Sequence, residues 1–399
     1  MPRSLSEAEL AELTGCRPER IRELVAAGVI PRRESGFRGG DVQRTWLVDA
    51  LERAGTPLEH IAKGIATGKL SFANLDVYFP EPVGLSPATY EELSARLGRP
   101  LRTVVALARA LGLPQPDPGR RLRVDDEKML GSLVETWHLA TDDELLRVAR
   151  LYGEGLRRIA ESVVQLFQAT FIRRIVEEDL PMAELEARIG SAAGGAITAG
   201  EEFALQLHRR HVEHYVVEAS VARTEEALER AGLTPPRPPR PEAIAFLDLT
   251  GYTALTEEAG DEAAAELAAR VADLVEGTAA EHGGRPVKWL GDGVMFHFPA
   301  PSGAVQSALE LVQRVPKAGL PPARLGIHAG PVVFREGDYF GRTVNVAARI
   351  ADYARPREVL VSEDVRRAAG LEGVSFEEIG EIPLKGIPTP VGLYRAARG

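Results

Sequence analysis

From Leu5 to about Gly232, apolar residues recur three and four positions apart. That spacing predicts helices throughout the first part of the chain. Beyond Glu242, short apolar runs such as "AIAFLDL" alternate with helical spacing, which predicts strands and helices in turn. Between the two lies "LTPPRPPRPE", Leu233 to Glu242. Proline at this density excludes helix and central strand and predicts a stiff, extended connector.

The first part carries a weak internal repeat. "LSEAELAELTGCRPERIRELVAAGVIPR" (Leu5 to Arg32) parallels "LSPATYEELSARLGRPLRTVVALARALGLPQ" (Leu85 to Gln115). Each reads as a Ser-capped helix, a tight turn, a second helix, and Gly and Pro terminators, which is helix-turn-helix spacing. After the first copy, "RRESGFRGGD" predicts a hairpin bearing Gly and Arg. From Asp125 the pattern is helical again. Pro181 should break it, "GSAAGGAITAG" (Gly190 to Gly200) should interrupt it as a hinge, and a long helix should follow.

A chain of 399 residues favours two or three domains. No stretch approaches the roughly 18 apolar residues of a membrane span. The polar start "MPRSLSEAELAEL" has no apolar signal core, so no membrane and a cytoplasmic location are expected. The lone Cys16 excludes an internal disulfide framework and a cysteine-cluster metal site. A net charge of -10 argues against non-specific coating of nucleic acid, without excluding a local basic patch.

The candidate chemistry lies after the linker. "AIAFLDL" reads as a buried strand with Asp248 at its end, and "TGYT" turns towards a helix. Such a turn aims backbone N–H groups at an anion, and an Asp beside a phosphate site commonly holds Mg²⁺. In "PVKWLGDGVMFHF", two β-rich runs flank a turn that presents Asp292, a candidate second metal ligand. In "GDYFGRTVNVAARI", Asn345 and Arg349 are four apart and share one helix face. His208, His211 and His214 in "LHRRHVEH" are spaced by three, and a solvated helix face is the favoured reading over a metal or pH site.

Six segments then occur in order: "FLDLTGYT", "VKWLGDGVMF", "RLGIHAGPVV", "GDYFGRTVNVAARI", "ARPREVLVSE" and "EIPLKGIPTPVGLYR". Together they resemble the catalytic domain of class III nucleotidyl cyclases, over residues 242–399. The resemblance implies a ferredoxin-like α/β domain that acts as a homodimer, with active sites at the subunit interface. It implies two divalent cations per site, Mg²⁺ or Mn²⁺, held at Asp248, Leu249 and Asp292. Lys288 and Asp338 match the pair that reads the purine, and Lys385 matches a contact to the terminal phosphates. Thr250, Gly251, Tyr252 and Thr253 match the phosphate-cradling turn. Asn345 matches the residue that orients the ribose, and Arg349 the one that stabilises the transition state at the α-phosphate.

The Lys–Asp pair suits adenine, which accepts at N1 and donates from its N6 amino group; guanine presents the opposite pattern. The implied activity is therefore that of an adenylyl cyclase, turning ATP into 3′,5′-cyclic AMP and pyrophosphate. Only "FREG" separates "GIHAGPVV" from "DYFG", shorter than the arm of many family members and similar to a bacterial subgroup.

Residues 1–75 resemble a winged-helix domain of the mercury-resistance-regulator type, with "GFR" in the wing. Residues 85–232 would form the second copy and a helical regulatory or dimerisation region, and 233–241 the linker. The N-terminal half permits DNA binding, as in a transcriptional regulator fused to a nucleotide-sensing domain. Regulation of the cyclase is favoured, because acidic residues interleave the arginines and the layout resembles soluble bacterial cyclases with an autoinhibitory helical domain. The expected fold is thus an all-α, winged-helix-like N-terminal half followed by an α/β cyclase domain.

Overall fold

In the computed structural model, Ser6 Oγ accepts from Glu9 N at 3.2 Å, and the Glu9 carboxylate accepts from Ser6 N at 3.0 Å. This capping box starts α1 (Glu7–Thr14), which ends at Gly15 with φ 76°. Residues 4–113, 117–178, 180–235, 241–252 and 261–399 are described. The chain divides into two units, Met1–Ala231 and Gly232–Gly399, at the head of the proline-rich segment. Among the described residues, no helix is long and apolar enough to cross a membrane.

In the first unit, α2 (Pro18–Ala26) follows α1 after a short turn, and α3 (Gly39–Arg53), α4 (Leu58–Ala66) and α5 (Asn74–Tyr78) come next. The expected hairpin after α2 is replaced by a single bridge, Phe37 with Leu5. Arg33 is drawn inward instead, to Asp41 at 2.7 Å and Asp76 at 3.0 Å. Arg44, 2% exposed, bonds the same two carboxylates and the Phe72 carbonyl. Every partner in this buried cluster is matched, so it joins α3 to α5 without leaving a charge unpaired.

The second copy consists of β1 (Leu85–Thr89), α6 (Tyr90–Leu97) and α7 (Leu101–Ala110). Its cap is Thr89 rather than a serine, because Ser86 lies within β1. Then come β2 (Arg121–Arg123), paired with β1, and α8 (Val124–Thr136) and α9 (Asp142–Phe167). After α10 (Arg173–Val176), Pro181 caps α11 (Met182–Arg230).

The glycine-rich stretch does not interrupt α11, which runs unbroken through Gly190 and Gly200. Its small residues serve packing. A Cβ at Gly190 would lie 3.3 Å from Val77 Cγ2, and one at Gly194 would lie 3.1 Å from Val77 Cγ1. The Glu186 carboxylate also accepts from Asn74 N at 3.2 Å. Close docking on α5 offsets the helix-propensity cost of roughly 1 kcal/mol per glycine.

In the second unit, β3 (Ala243–Leu249), α12 (Asp261–Glu281), β4 (Arg285–Leu290), β5 (Gly293–Phe298), α13 (Pro301–Lys317) and β6 (Ala323–Ala329) follow in a split β-α-β-β-α-β pattern. A small hairpin, β7 (Val333–Arg335) and β8 (Asp338–Phe340), leads into α14 (Arg342–Tyr353). The chain finishes with β9 (Val359–Ser362), α15 (Glu363–Ala369), β10 (Val374–Ile382) and β11 (Val391–Arg398).

The main sheet has the order β10-β11-β9-β6-β3-β5-β4. Its pairs are antiparallel except β6–β9, so the sheet is mixed. Central β3 is buried on both faces, which is why it reads as a continuous apolar run. One face packs on α12 and α13 through Val271, Val275, Val305 and Leu309. The other packs on α14 through Ala347 and Ala351.

Gly194→Leu should lower the melting temperature of the full chain, because overpacking against Val77 costs about 1–3 kcal/mol. Gly195→Ala should raise it, since a Cβ there meets nothing within 4 Å and the helix gains propensity. Two increases would show that Gly194 is not a packing glycine.

Burial of Asp126 at the start of α8, with Asp125 beside it, pushes its carboxyl from 3.8 up to about 6. The fold therefore favours the protonated form. That stability is fully present below the ordinary Asp value and is lost as pH rises through about 6. Asp126→Asn should flatten this part of the stability profile between pH 4 and 7, read by denaturant titration.

Candidate active site

Asp248 is the penultimate residue of β3, on the register that pairs it with Arg324 of β6 on one side and Gly293 of β5 on the other. Its Oδ2 accepts from Arg324 Nε at 2.7 Å, and the side chain stays 28% exposed. Arg324 Nη1 also donates to the carbonyls of Asp352 and Ala354, at 3.2 and 3.3 Å. One guanidinium thus ties the carboxylate of β3 to the C-terminal end of α14, where the helix dipole favours a cation.

α14 supplies the residues that face this carboxylate. Thr343, Val346, Ala347 and Ile350 are buried, which leaves Asn345 and Arg349 exposed on the opposite stripe. The helix lies tight against β6, and a Cβ at Gly326 would stand 2.0 Å from Ala351 N. Arg349 Nη1 bonds Asp352 Oδ2 at 2.7 Å. Asp248, Asn345, Arg349 and Lys385 line one cleft of about 450 Å³, with Leu290, Gly293 and Ile387 among its walls. Lys385 has no ion-pair partner among the described residues.

The other predicted positions are not among the residues that line this cleft. Asp292 sits in the turn between β4 and β5, after Gly291 at φ 66°, and its carbonyl accepts from Leu249 N at 3.3 Å. The turn that follows β3 is held by Thr250 N on the Pro322 carbonyl at 3.0 Å, and Gly251 takes φ 81°. Tyr252 packs on the main core. Thr253 lies outside the described residues. Lys288 of β4 and Asp338 of β8 form an ion pair with each other, and neither lines the cleft. His208, His211 and His214 are exposed on α11, with His208 against the Tyr152 hydroxyl and His214 near Glu218.

The side chains of Asp248 and Asp292 and the Leu249 carbonyl would offer oxygen donors only, the chemistry that suits Mg²⁺ or Mn²⁺. Among the described residues, no group of three or more His, Cys, Asp or Glu side chains gathers as a metal site. The donor set fits a cation that also keeps water or phosphate ligands.

Sequence reasoning missed Arg324 and Asp352. The first lay in plain view in "RLGIHAGPVV". Its pairing with Asp248 depends on strand register across 76 residues, for which no local signal exists.

Residues 238–395 match the family model described as the adenylate and guanylate cyclase catalytic domain. The chain is 31% identical over 320 residues to a pH-sensitive adenylate cyclase, MT1302, of Mycobacterium tuberculosis (strain CDC 1551 / Oshkosh), covering 77% of each protein. It is 29% identical to an adenylate cyclase of Glutamicibacter nicotianae, over 67% of this chain and 68% of that protein. Among solved structures it is similar to the adenylyl cyclase CyaB from P. aeruginosa, at 23% identity and a TM-score of 0.37, covering 40% of this chain and 94% of that one. The chain belongs to the adenylate and guanylate cyclase family, the class III nucleotidyl cyclases, with its catalytic domain at the C-terminus.

Gly326→Ala should destabilise the chain by roughly 1–3 kcal/mol or more, because its Cβ meets helix backbone that cannot rotate away. A melting temperature equal to wild type would contradict the close approach of β6 and α14.

Proposed function

We propose that this chain is an adenylate cyclase that converts ATP to 3′,5′-cyclic AMP and pyrophosphate. What supports the reading is Asp248 on a cleft lined also by Asn345, Arg349 and Lys385, together with the Lys288–Asp338 ion pair; in the homodimer, Asp248 and Asp292 of one copy would meet Asn345 and Arg349 of the other. The relatives named as adenylate cyclases support the choice of ATP.

Lys288 donates to adenine N1 and Asp338 accepts from the N6 amino group. Asn345 holds the ribose so that its 3′-OH lies in line with the α-phosphate. The 3′-oxygen attacks phosphorus, the bond to the β-phosphate breaks, and pyrophosphate leaves. Arg349 meets the charge that grows on the α-phosphate oxygens, and Lys385 binds the terminal phosphates. Thr250 N–H is held by the Pro322 carbonyl, so within the turn Thr250–Thr253 phosphate oxygens would be received on the backbone N–H groups that follow it. Asp248, Asp292 and the Leu249 carbonyl would hold two divalent cations. Bound there, the cations neutralise phosphate charge and acidify the attacking hydroxyl.

The enzyme works as a homodimer, each site completed across the interface. Trp289, Leu290, Val333, Phe334, Phe340 and Tyr353 leave apolar surface exposed on the catalytic unit, which supports such a partner. Exposed Ile159 and Val163 of α9, and Phe203 and Val217 of α11, support a second copy along the helical layer.

The N-terminal half regulates the enzyme. The likeness to MT1302 spans 320 residues, beyond the matched catalytic domain, so the two proteins share part of that half as well. DNA binding is not favoured. Arg20 pairs with Glu23, Asp49 and Glu52, Arg22 with Glu7 and Glu19, and Arg33 with Asp41 and Asp76. Arginines engaged in this way have few donors left for phosphates.

An assay of ATP conversion with Mn²⁺ on the full chain should yield cyclic AMP, and its absence would overturn the reading. Arg349→Ala and Asn345→Ala should each lower kcat by about 10²–10³-fold while ATP binding falls much less. Asp248→Ala should abolish the Mn²⁺-dependent activity, and an unchanged response to Mn²⁺ would overturn the metal assignment.

A further inference from the structure

Asp338 stands on a weak support. Among the described residues, its hairpin, β7–β8, is a separate two-stranded sheet outside the main one. The turn, Glu336 and Gly337, has both residues at positive φ, 54° and 81°, which suits a tight two-residue hairpin. A two-stranded hairpin of this length is marginal in water on its own. Something outside the hairpin must fix the carboxylate against Lys288.

Tyr339 is that attachment. Successive strand residues point to opposite faces, so with Asp338 turned to Lys288 the next side chain is directed the other way. Tyr339 is 6% exposed and joins Ile244, Phe246 and Met295 under the hairpin. Its ring lies flat on His297 of β5, with centroids 4.3 Å apart and planes 8° apart. Its hydroxyl accepts from Arg285 Nη2 at 3.0 Å. The Arg285 guanidinium also sits 5.7 Å from the Phe334 ring, on the partner strand of the hairpin.

The His297 ring is fixed in its turn. Its Nε2 bonds Glu242 Oε2 at 2.7 Å, so that nitrogen carries the proton. Glu242 grips the root of the hairpin as well, because its carbonyl accepts from Gly330 N at 3.0 Å. A single residue at the end of the proline-rich linker therefore holds both the platform under Tyr339 and the chain that enters β7.

We infer that His297, oriented by Glu242, and Arg285 are positioning residues for base recognition: by seating Tyr339 they fix Asp338 against Lys288 and so set the preference for adenine over guanine. This rests on the adenylate cyclase reading above. Removing the platform leaves Lys288 and the cleft in place and frees only the carboxylate that accepts from N6.

The test compares full-length wild type, His297→Ala and His297→Phe. Steady-state rates are measured with ATP and with GTP, and hydrogen exchange of the 333–340 amides is measured without nucleotide. His297→Ala should raise KM for ATP about tenfold with kcat within about threefold, and should cut the ATP-over-GTP preference about tenfold, as expected when one base-reading contact is lost. Its hairpin amides should exchange faster. His297→Phe keeps an aromatic platform and should recover most of both effects. Equal losses for ATP and GTP, or hairpin exchange unchanged in His297→Ala, would overturn the inference. The exchange measurement does not depend on turnover. A wild type that makes no cyclic AMP overturns the proposed function, while faster exchange in His297→Ala still supports the seating of the hairpin.

Discussion

At Gly326, strand β6 runs so close to α14 that no side chain larger than hydrogen fits between them. The cleft depends on this approach. Buried Val346, Ala347 and Ile350 turn α14 so that Asn345 and Arg349 face outward, and the contact at Gly326 sets how near they come to β3. Two residues earlier on the same strand, Arg324 reaches Asp248 and the last carbonyls of α14. One strand therefore sets the helix, holds the carboxylate and caps the helix end.

Several of the charges that the proposed function uses already hold an ion-pair partner. Asp248 holds Arg324, Lys288 holds Asp338, and Arg349 holds Asp352. These pairs are partly exposed, so each contributes little to stability and can be exchanged at small cost. On the proposed reading, a nucleotide with its cations would replace these partners without leaving a buried charge unmatched. Pairing works differently in the N-terminal unit, where Arg44 and Asp41 are buried and the cluster is part of the fold.

Much of this was legible along the chain. Helical spacing marked α9 and α11, the prolines marked the division into units, and the continuous apolar run of β3 marked a central strand. Six ordered segments pointed to the cyclase family, to which the chain belongs. Local pattern failed where a distant contact overrode it. The glycines of α11 read as a hinge because glycine is a poor helix former, yet Val77, more than a hundred residues earlier, needs the space they leave. The expected wing became a single bridge because Arg33 found two carboxylates, the buried Asp41 and the half-buried Asp76.

The sequence by itself determined which residue types stand at each motif and which face of α14 they share, since helical period and motif order are local properties. Tertiary structure alone decided who meets whom. Strand register brought Arg324 to Asp248, and the packing of a short hairpin on β5 brought Tyr339 over His297. Register and close approach arise from pairings across many tens of residues. Their energy is spread over whole elements, so no short stretch of sequence spells them out.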